Sequence, residues 1–268
     1  MIFINDISPE IFKFGEFSLR WYGVFFALGI GLTYSFIRWI FIKEKFKVED
    51  LDSIAIYLFF GLLIGARLGE ALFYEPDFFL ANPLEIFKTW HGGLSSHGAT
   101  IGLFLAYLLW TKIHKVPFAK YVDALAMGIP ITAFFVRIGN FFNSEIVGYK
   151  IADAGEKVSG IGVIFKQLGE DFPRHPAQLY EAFLLLIVFG LMFFIYKKSR
   201  KKNQKLFFLF FFVGLYFLGR FFIEFYKDLH VLPDSFPLSM GQVLSIVPIF
   251  LAAIYFMFFW KRKKISKR

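Results

Sequence analysis

Several stretches of the chain stay apolar for about the roughly 20 residues that a helix needs to cross the hydrocarbon core of a bilayer. They fall at 19–42, 51–74, 94–111, 121–142, 178–196, 206–226 and 239–260. The connections between them are short and polar, except for 143–177, which is rich in Gly, Asp, Glu and Pro. This pattern predicts an all-α polytopic membrane protein of seven transmembrane helices. Residues 1–268 form a single integral membrane domain, and 143–177 form a small external (periplasmic) head between spans four and five. Within that head the run Ile161-Gly162-Val163-Ile164-Phe165 predicts a strand. Composition agrees with this reading. Hydrophobic residues make up 57% of the chain and 41 residues are Phe, against about 45–50% apolar in soluble domains. Met1-Ile2-Phe3-Ile4-Asn5-Asp6 lacks a basic stretch followed by an apolar one, so no cleavable signal peptide is expected.

Charge sets the orientation. The connections after spans one, three and five and the C-terminal tail carry 18 Lys and Arg, among them Lys43, Lys112, Lys197, Lys198 and Lys261. The opposite connections carry 8, including Lys13, Arg20, Arg174 and Lys227. Cytoplasmic loops collect Lys and Arg, which predicts an external N-terminus and a cytoplasmic C-terminus. The net charge of +9 is thus a topology signal directed at anionic membrane lipids rather than nucleic acid. The chain has no cysteine, which excludes a disulfide, a thiol nucleophile and a Cys-ligated metal site.

Charges inside spans are costly and point to function by default. Arg38 lies one turn from the inner end of span one, within reach of the headgroups. Arg67 lies among Gly61, Gly65 and Gly69, a small-residue stripe suited to close helix packing. It pairs either with Glu70, at i,i+3, or with a substrate. Arg137 and Asn140, also at i,i+3, share a face at the outer end of span four, with Glu145 and Gly148 following. A guanidinium beside amides there suits a phosphate; the alternative is a snorkelling Arg before a helix-ending Asn. Tyr216, Arg220 and Glu224 form a stripe about 12 Å long on span six that lipid cannot satisfy. An internal Arg220–Glu224 pair is the competing use. His97, in Gly92-Gly93-Leu94-Ser95-Ser96-His97-Gly98, is suited to proton transfer, and Gly98 to close approach of a substrate. His91 and His175 read as capping or packing residues, and Tyr22 as an interfacial anchor.

Taken together, Arg20-Trp21-Tyr22-Gly23, the Gly92–Gly98 motif, Arg137 through Glu145, Arg174 through Glu181, Tyr216 through Glu224 and Ser239-Met240-Gly241-Gln242 resemble the prolipoprotein diacylglyceryl transferases along nearly the whole chain. His91, Ser96 and Glu70 depart from the familiar pattern. The resemblance implies an inner-membrane enzyme that moves the diacylglyceryl group of phosphatidylglycerol to the thiol of a lipobox cysteine in a prolipoprotein signal peptide. A thioether forms and glycerol phosphate leaves. It also implies roles for residues: lipid binding for Arg137, with Asn140, Glu145 and Gly148; an essential His97; Tyr216 and Arg220 on span six; and Tyr22, which rises above the anchor reading. The chemistry needs no metal and no cofactor. A transporter with an anionic-substrate pathway is the alternative, against which stand the absence of paired repeats and an odd number of spans.

Overall fold

The computed structural model describes residues 1–15, 17–88, 92–156, 160–199, 205–228 and 237–260. His91 and several of the basic loop and tail residues lie outside them. The helices are α1 (Trp21–Glu44), α2 (Val48–Phe73), α3 (Pro76–Ala81), α4 (Ser96–Ile113), α5 (Val122–Phe142), α6 (Ala177–Ser199), α7 (Phe207–Ile223) and α8 (Met240–Ile254). A 3-10 turn, Glu224–Tyr226, extends α7, and a π-helical turn, Tyr255–Phe259, extends α8. Four short strands are β1 (Ile2–Asn5), β2 (Glu10–Phe14), β3 (Phe17–Arg20) and β4 (Gly162–Phe165).

Among the described residues, 6 helices are long and apolar enough to cross a membrane: α1, α2, α5, α6, and α7 and α8 with their extensions. The predicted span 94–111 is a helix, α4, but is not one of the 6. Ser96 and His97 in its first turn and Lys112 in its last dilute an otherwise apolar segment of 18 residues. Large apolar side chains such as Phe183 and Phe250 face outward while Gln178, Glu181, Gln242 and Ser245 are buried. This inversion of the soluble pattern is what a hydrocarbon surround selects.

The chain gathers into two compact units, Met1–Ile37 with Val122–Arg268, and Arg38–Tyr121. In the first, α5 packs on α6, α7 on both α6 and α8, and the start of α1 on α5. Thr33 Oγ1 donates to the Gly128 carbonyl at 3.1 Å and meets Thr132 Oγ1 at 2.7 Å, a polar clasp between α1 and α5. Asp123 on α5 accepts from the N–H groups of Leu206 and Leu209 at 2.8 and 3.0 Å, capping α7 from a neighbouring helix. Ser239 and Gln242 form a reciprocal capping box on α8.

The predicted strand is β4, and its partner is the N-terminal segment. β1 runs parallel to it, with Ile2 opposite Gly162 and Asn5 opposite Phe165. Buried Asn5 donates to the Phe141 carbonyl at 2.9 Å. β2 and β3 form an antiparallel hairpin leading into α1. Single bridges join Gly148 to Lys227, and Arg174 to both Lys150 and Val163. The 143–177 segment is therefore knitted to chain from both ends of the sequence. Arg174 fastens it: its Nε and Nη2 donate to Glu170, both at 2.6 Å, and its Nη1 to Asp228 at 2.5 Å. The hydrogen bond from Glu170, foremost, and that from Asp228 hold the Arg174 pKa above its ordinary value.

The second unit is built on the glycine stripe. A Cβ at Gly65 would lie 2.5 Å from the Gly98 carbonyl oxygen, and one at Gly102 would lie 2.0 Å from that of Gly61. α2 and α4 thus touch backbone to backbone, and any side chain at these positions would force them apart. Arg67 does not spend itself on Glu70, as the i,i+3 spacing allowed. Its five N–H groups donate to the carbonyls of Glu85, Ile86, Lys88, Gly92 and Gly93 at 2.5–3.2 Å. That uses every donor a guanidinium has and shapes the chain that returns to α4. Arg67→Ala is expected to lower the yield of monodisperse folded protein severalfold, read by size-exclusion chromatography of detergent extracts, because each stranded buried carbonyl costs roughly 1–3 kcal/mol.

Candidate active site

The C-terminal ends of α5 and α7 and the N-terminal end of α6 bring the polar residues of the first unit together. Asn140 lies one turn after Arg137 and accepts from Arg137 Nη1 at 3.0 Å. Asn140 Nδ2 in turn donates to Glu145 Oε2 at 3.0 Å, and Asn143 Nδ2 to Glu145 Oε1 at 3.0 Å. Glu145 is reached because α5 ends at Phe142 and the chain turns through Ser144 and Ile146, both at positive φ. Fully buried Gln178 on α6 ties this turn down, donating to the Glu145 carbonyl at 2.5 Å. Tyr22 sits on Gly139, where a Cβ would come within 2.9 Å of its ring. The charges of Glu145 and Arg137 both act on its hydroxyl.

Arg137 Nε pairs with Glu181 on α6, a carboxylate with 0% side-chain exposure. Glu181 also pairs with Lys227, which reaches Glu224 at 3.3 Å. The Tyr216 hydroxyl interacts electrostatically with both guanidinia, Arg137 and Arg220. Arg220 has no ion pair among the described residues, and its buried Nε finds no hydrogen-bond partner there. The competing Arg220–Glu224 pair is not formed among the described residues; Glu224 pairs with Lys227 and acts on Arg220 through its field. Among the described residues, Arg137 spends its Nε on Glu181 and its Nη1 on Asn140, and a guanidinium has five N–H groups to give. Guanidinia with unspent donors suit an anion with several acceptor oxygens.

In the second unit, Ser95 caps α4 by accepting from the Gly98 N–H at 3.1 Å. This fixes the first helical turn and with it His97. Tyr74, at the C-cap of α2, meets His97 Nδ1 through its hydroxyl at 2.9 Å. If Nδ1–H donates to Tyr74, Nε2 is left as a proton acceptor. The candidate residues therefore divide between the units: Tyr22, Arg137, Asn140, Glu145, Tyr216 and Arg220 belong to the first, His97 to the second. Gly98 and Gly148, expected to meet substrate, serve packing. Gly98 lies against Gly65 and Gly69, and a Cβ at Gly148 would come within 2.3 Å of the Tyr226 carbonyl oxygen. His175 is held by Tyr180 at 3.1 Å, a packing role as expected. Sequence reasoning missed Glu181, Lys227 and Tyr74. Lys227 stands three residues after Glu224, so their pairing in a helical turn was visible in the spacing. Among the described residues no group of three or more His, Asp or Glu could hold a metal ion.

Part-buried arginines at the ends of apolar helices long enough to cross a membrane mark a functional site of a helical membrane protein by default. The family described as prolipoprotein diacylglyceryl transferase matches residues 9–259. Relatives named phosphatidylglycerol–prolipoprotein diacylglyceryl transferase align end to end. That of Bacteroides fragilis is 38% identical, over 97% of this chain and 96% of its own length. That of Tolumonas auensis is 38% identical, over 98% and 99%, and that of Chloroherpeton thalassium 35% identical, over 98% and 96%. The chain is a member of the prolipoprotein diacylglyceryl transferase family.

Proposed function

We propose that this protein is a transferase that moves the diacylglyceryl group of phosphatidylglycerol to the thiol of the lipobox cysteine in prolipoprotein signal peptides. The observation that carries the reading is the pair Arg137 and Arg220, both acting on Glu181, with donors left unspent among the described residues. In the reaction the thiol sulfur bonds to the terminal carbon of the diacylglyceryl unit. The bond from that carbon to the phosphate oxygen breaks, and its electron pair leaves with glycerol phosphate. The phosphate passes from one negative charge towards two, so donors already aimed at it stabilise the transition state more than the ground state. His97 Nε2 takes the thiol proton, with Tyr74 holding the imidazole in the required tautomer. Tyr22 and Tyr216 orient the headgroup, and Asn140 and Glu145 fix the angle of the Arg137 fork. Mass spectrometry of a lipobox peptide incubated with the purified protein and phosphatidylglycerol tests this. The expected result is addition of one diacylglyceryl group; an unmodified peptide overturns it.

The same reading places α4 as a seventh span and the protein in the bacterial inner membrane. The N-terminus and the 143–177 segment then lie outside and the C-terminus is cytoplasmic, in keeping with the 18-to-8 distribution of basic residues. Alkaline phosphatase fused after Arg268 is expected to be inactive; an active fusion overturns this orientation.

A further inference from the structure

Lys227 has no role in the reaction as set out above, yet its placement is among the most constrained in the molecule. It is 3% exposed. Its N–H donates to the Glu224 carbonyl at 3.2 Å, it forms an antiparallel bridge with Gly148, and the next residue donates from Asp228 N to the Val147 carbonyl at 3.2 Å. The end of α7 and the chain that follows α5 thus fix where the ammonium stands. A buried ammonium is stable only when paired, and here it meets two carboxylates, Glu181 and Glu224.

Glu181 is the shared group. One of its oxygens holds Arg137 Nε and the other holds Lys227, and the charge of Arg220 acts on it as well. The cluster therefore contains three cations, Arg137, Arg220 and Lys227, against two fully buried carboxylates, Glu181 and Glu224. Glu145 faces Asn140 and Asn143 at its margin. We infer that Lys227 is a positioning residue of the anion site: by occupying Glu181 and Glu224 it leaves the outer edges of Arg137 and Arg220 free for the lipid phosphate. This rests on the phosphate reading of those arginines.

The physical argument is competition. Without the ammonium, the freed oxygen of Glu181 has a neighbour with an unspent donor, since Arg220 Nε lacks a partner among the described residues. Two carboxylates and two guanidinia then neutralise each other internally, and an incoming phosphodiester has to displace a carboxylate from a buried ion pair. With Lys227 in place the cluster keeps one positive charge in excess of its two buried carboxylates, the complement of one phosphodiester. Removing Glu224 together with Lys227 restores that excess while leaving the Arg137–Glu181 pair intact.

The test measures retention of radiolabelled phosphatidylglycerol, and separately of uncharged diacylglycerol, by purified variants in detergent micelles. Lys227→Met is expected to weaken phosphatidylglycerol retention about tenfold or more, the usual scale for unbalancing a buried charge cluster, and to leave diacylglycerol retention unchanged. Lys227→Arg keeps the charge and is expected to stay within about threefold of the parent. Lys227→Met combined with Glu224→Gln is expected to recover most of the loss. If Lys227→Met does not fold, the double variant and Lys227→Arg carry the test. A double variant that folds but binds phosphatidylglycerol as weakly as Arg137→Lys overturns the inference, as does a Lys227→Met protein that binds it normally, or one that loses both lipids equally. Arg137→Lys separates the two levels: if it retains phosphatidylglycerol, the anion site itself fails; if it loses the lipid while Lys227→Met does not, only the role of Lys227 fails.

Discussion

Arg137→Lys is expected to reduce the rate of peptide modification by about 10²–10³-fold, the usual cost of one preorganised donor to a developing anion, and so to fall nearly as far as Arg137→Ala. Lysine keeps the charge, but Arg137 is used as a planar fork. Its Nε is held by Glu181 and its Nη1 by Asn140, which aims the remaining donors away from both. An ammonium is a point charge that would collapse onto Glu181 and present no parallel pair of hydrogen bonds. Phosphatidylglycerol retention should weaken along with the rate. A lysine variant that works within about tenfold of the parent would show that charge alone suffices and that the Glu181–Arg137–Asn140 geometry is incidental.

His97→Gln is expected to behave in the opposite sense. The substrate thiol, with an ordinary pKa near 8.5, is only about 3% thiolate at pH 7, so losing the base costs at least roughly 30-fold. Burial of the thiol at a membrane raises its pKa and enlarges the effect. Lipid retention should survive, because the phosphate ligands lie in the other unit's residues. The rate of the variant should climb close to tenfold per pH unit to at least about pH 8.5, as the thiolate forms without help. Tyr74→Phe, which removes the 2.9 Å contact to Nδ1, should lower the rate less than His97→Gln does. A His97→Gln protein that turns over normally, or that loses phosphatidylglycerol, would show that His97 is not the base.

Much of this arrangement was legible in the chain. The long apolar runs located every major helix, because in lipid a helix must satisfy its own backbone and announces itself by length. The glycine repeat at 61, 65 and 69 announced close packing, and the interfaces of α2 and α4 show why only glycine serves. Spacing also placed Arg137 beside Asn140 and Tyr216 beside Arg220. What spacing could not supply was pairing between elements. Arg67 and Glu70 share a helix face, yet Arg67 turns to five carbonyls of a segment that carries no local signal for it. Glu181 stands three residues after Gln178 on α6, yet it is the counter-ion of two cations from two other elements. Helical periodicity says which face a side chain occupies; which of several opposite charges it meets depends on how that face is buried. β1 was invisible for a related reason: four residues, three of them exposed, carry no pattern, and its partner is distant in the sequence.

That distance has a bearing on biosynthesis. β1 is made about 160 residues before the strand it pairs with, since Ile2 waits for Gly162. At roughly 5–20 residues per second the interval is on the order of 10–30 s, during which α1, α2, α4 and α5 are all synthesised. Asn5 meanwhile has its backbone partner, Phe141, before its strand partner, Phe165. The pairing of β1 with β4 is thus a late event that closes the chain around the turn bearing Asn140 and Glu145. Translation that halts before residue 162 leaves β1 without its strand partner, held only by Asn5 at the end of α5.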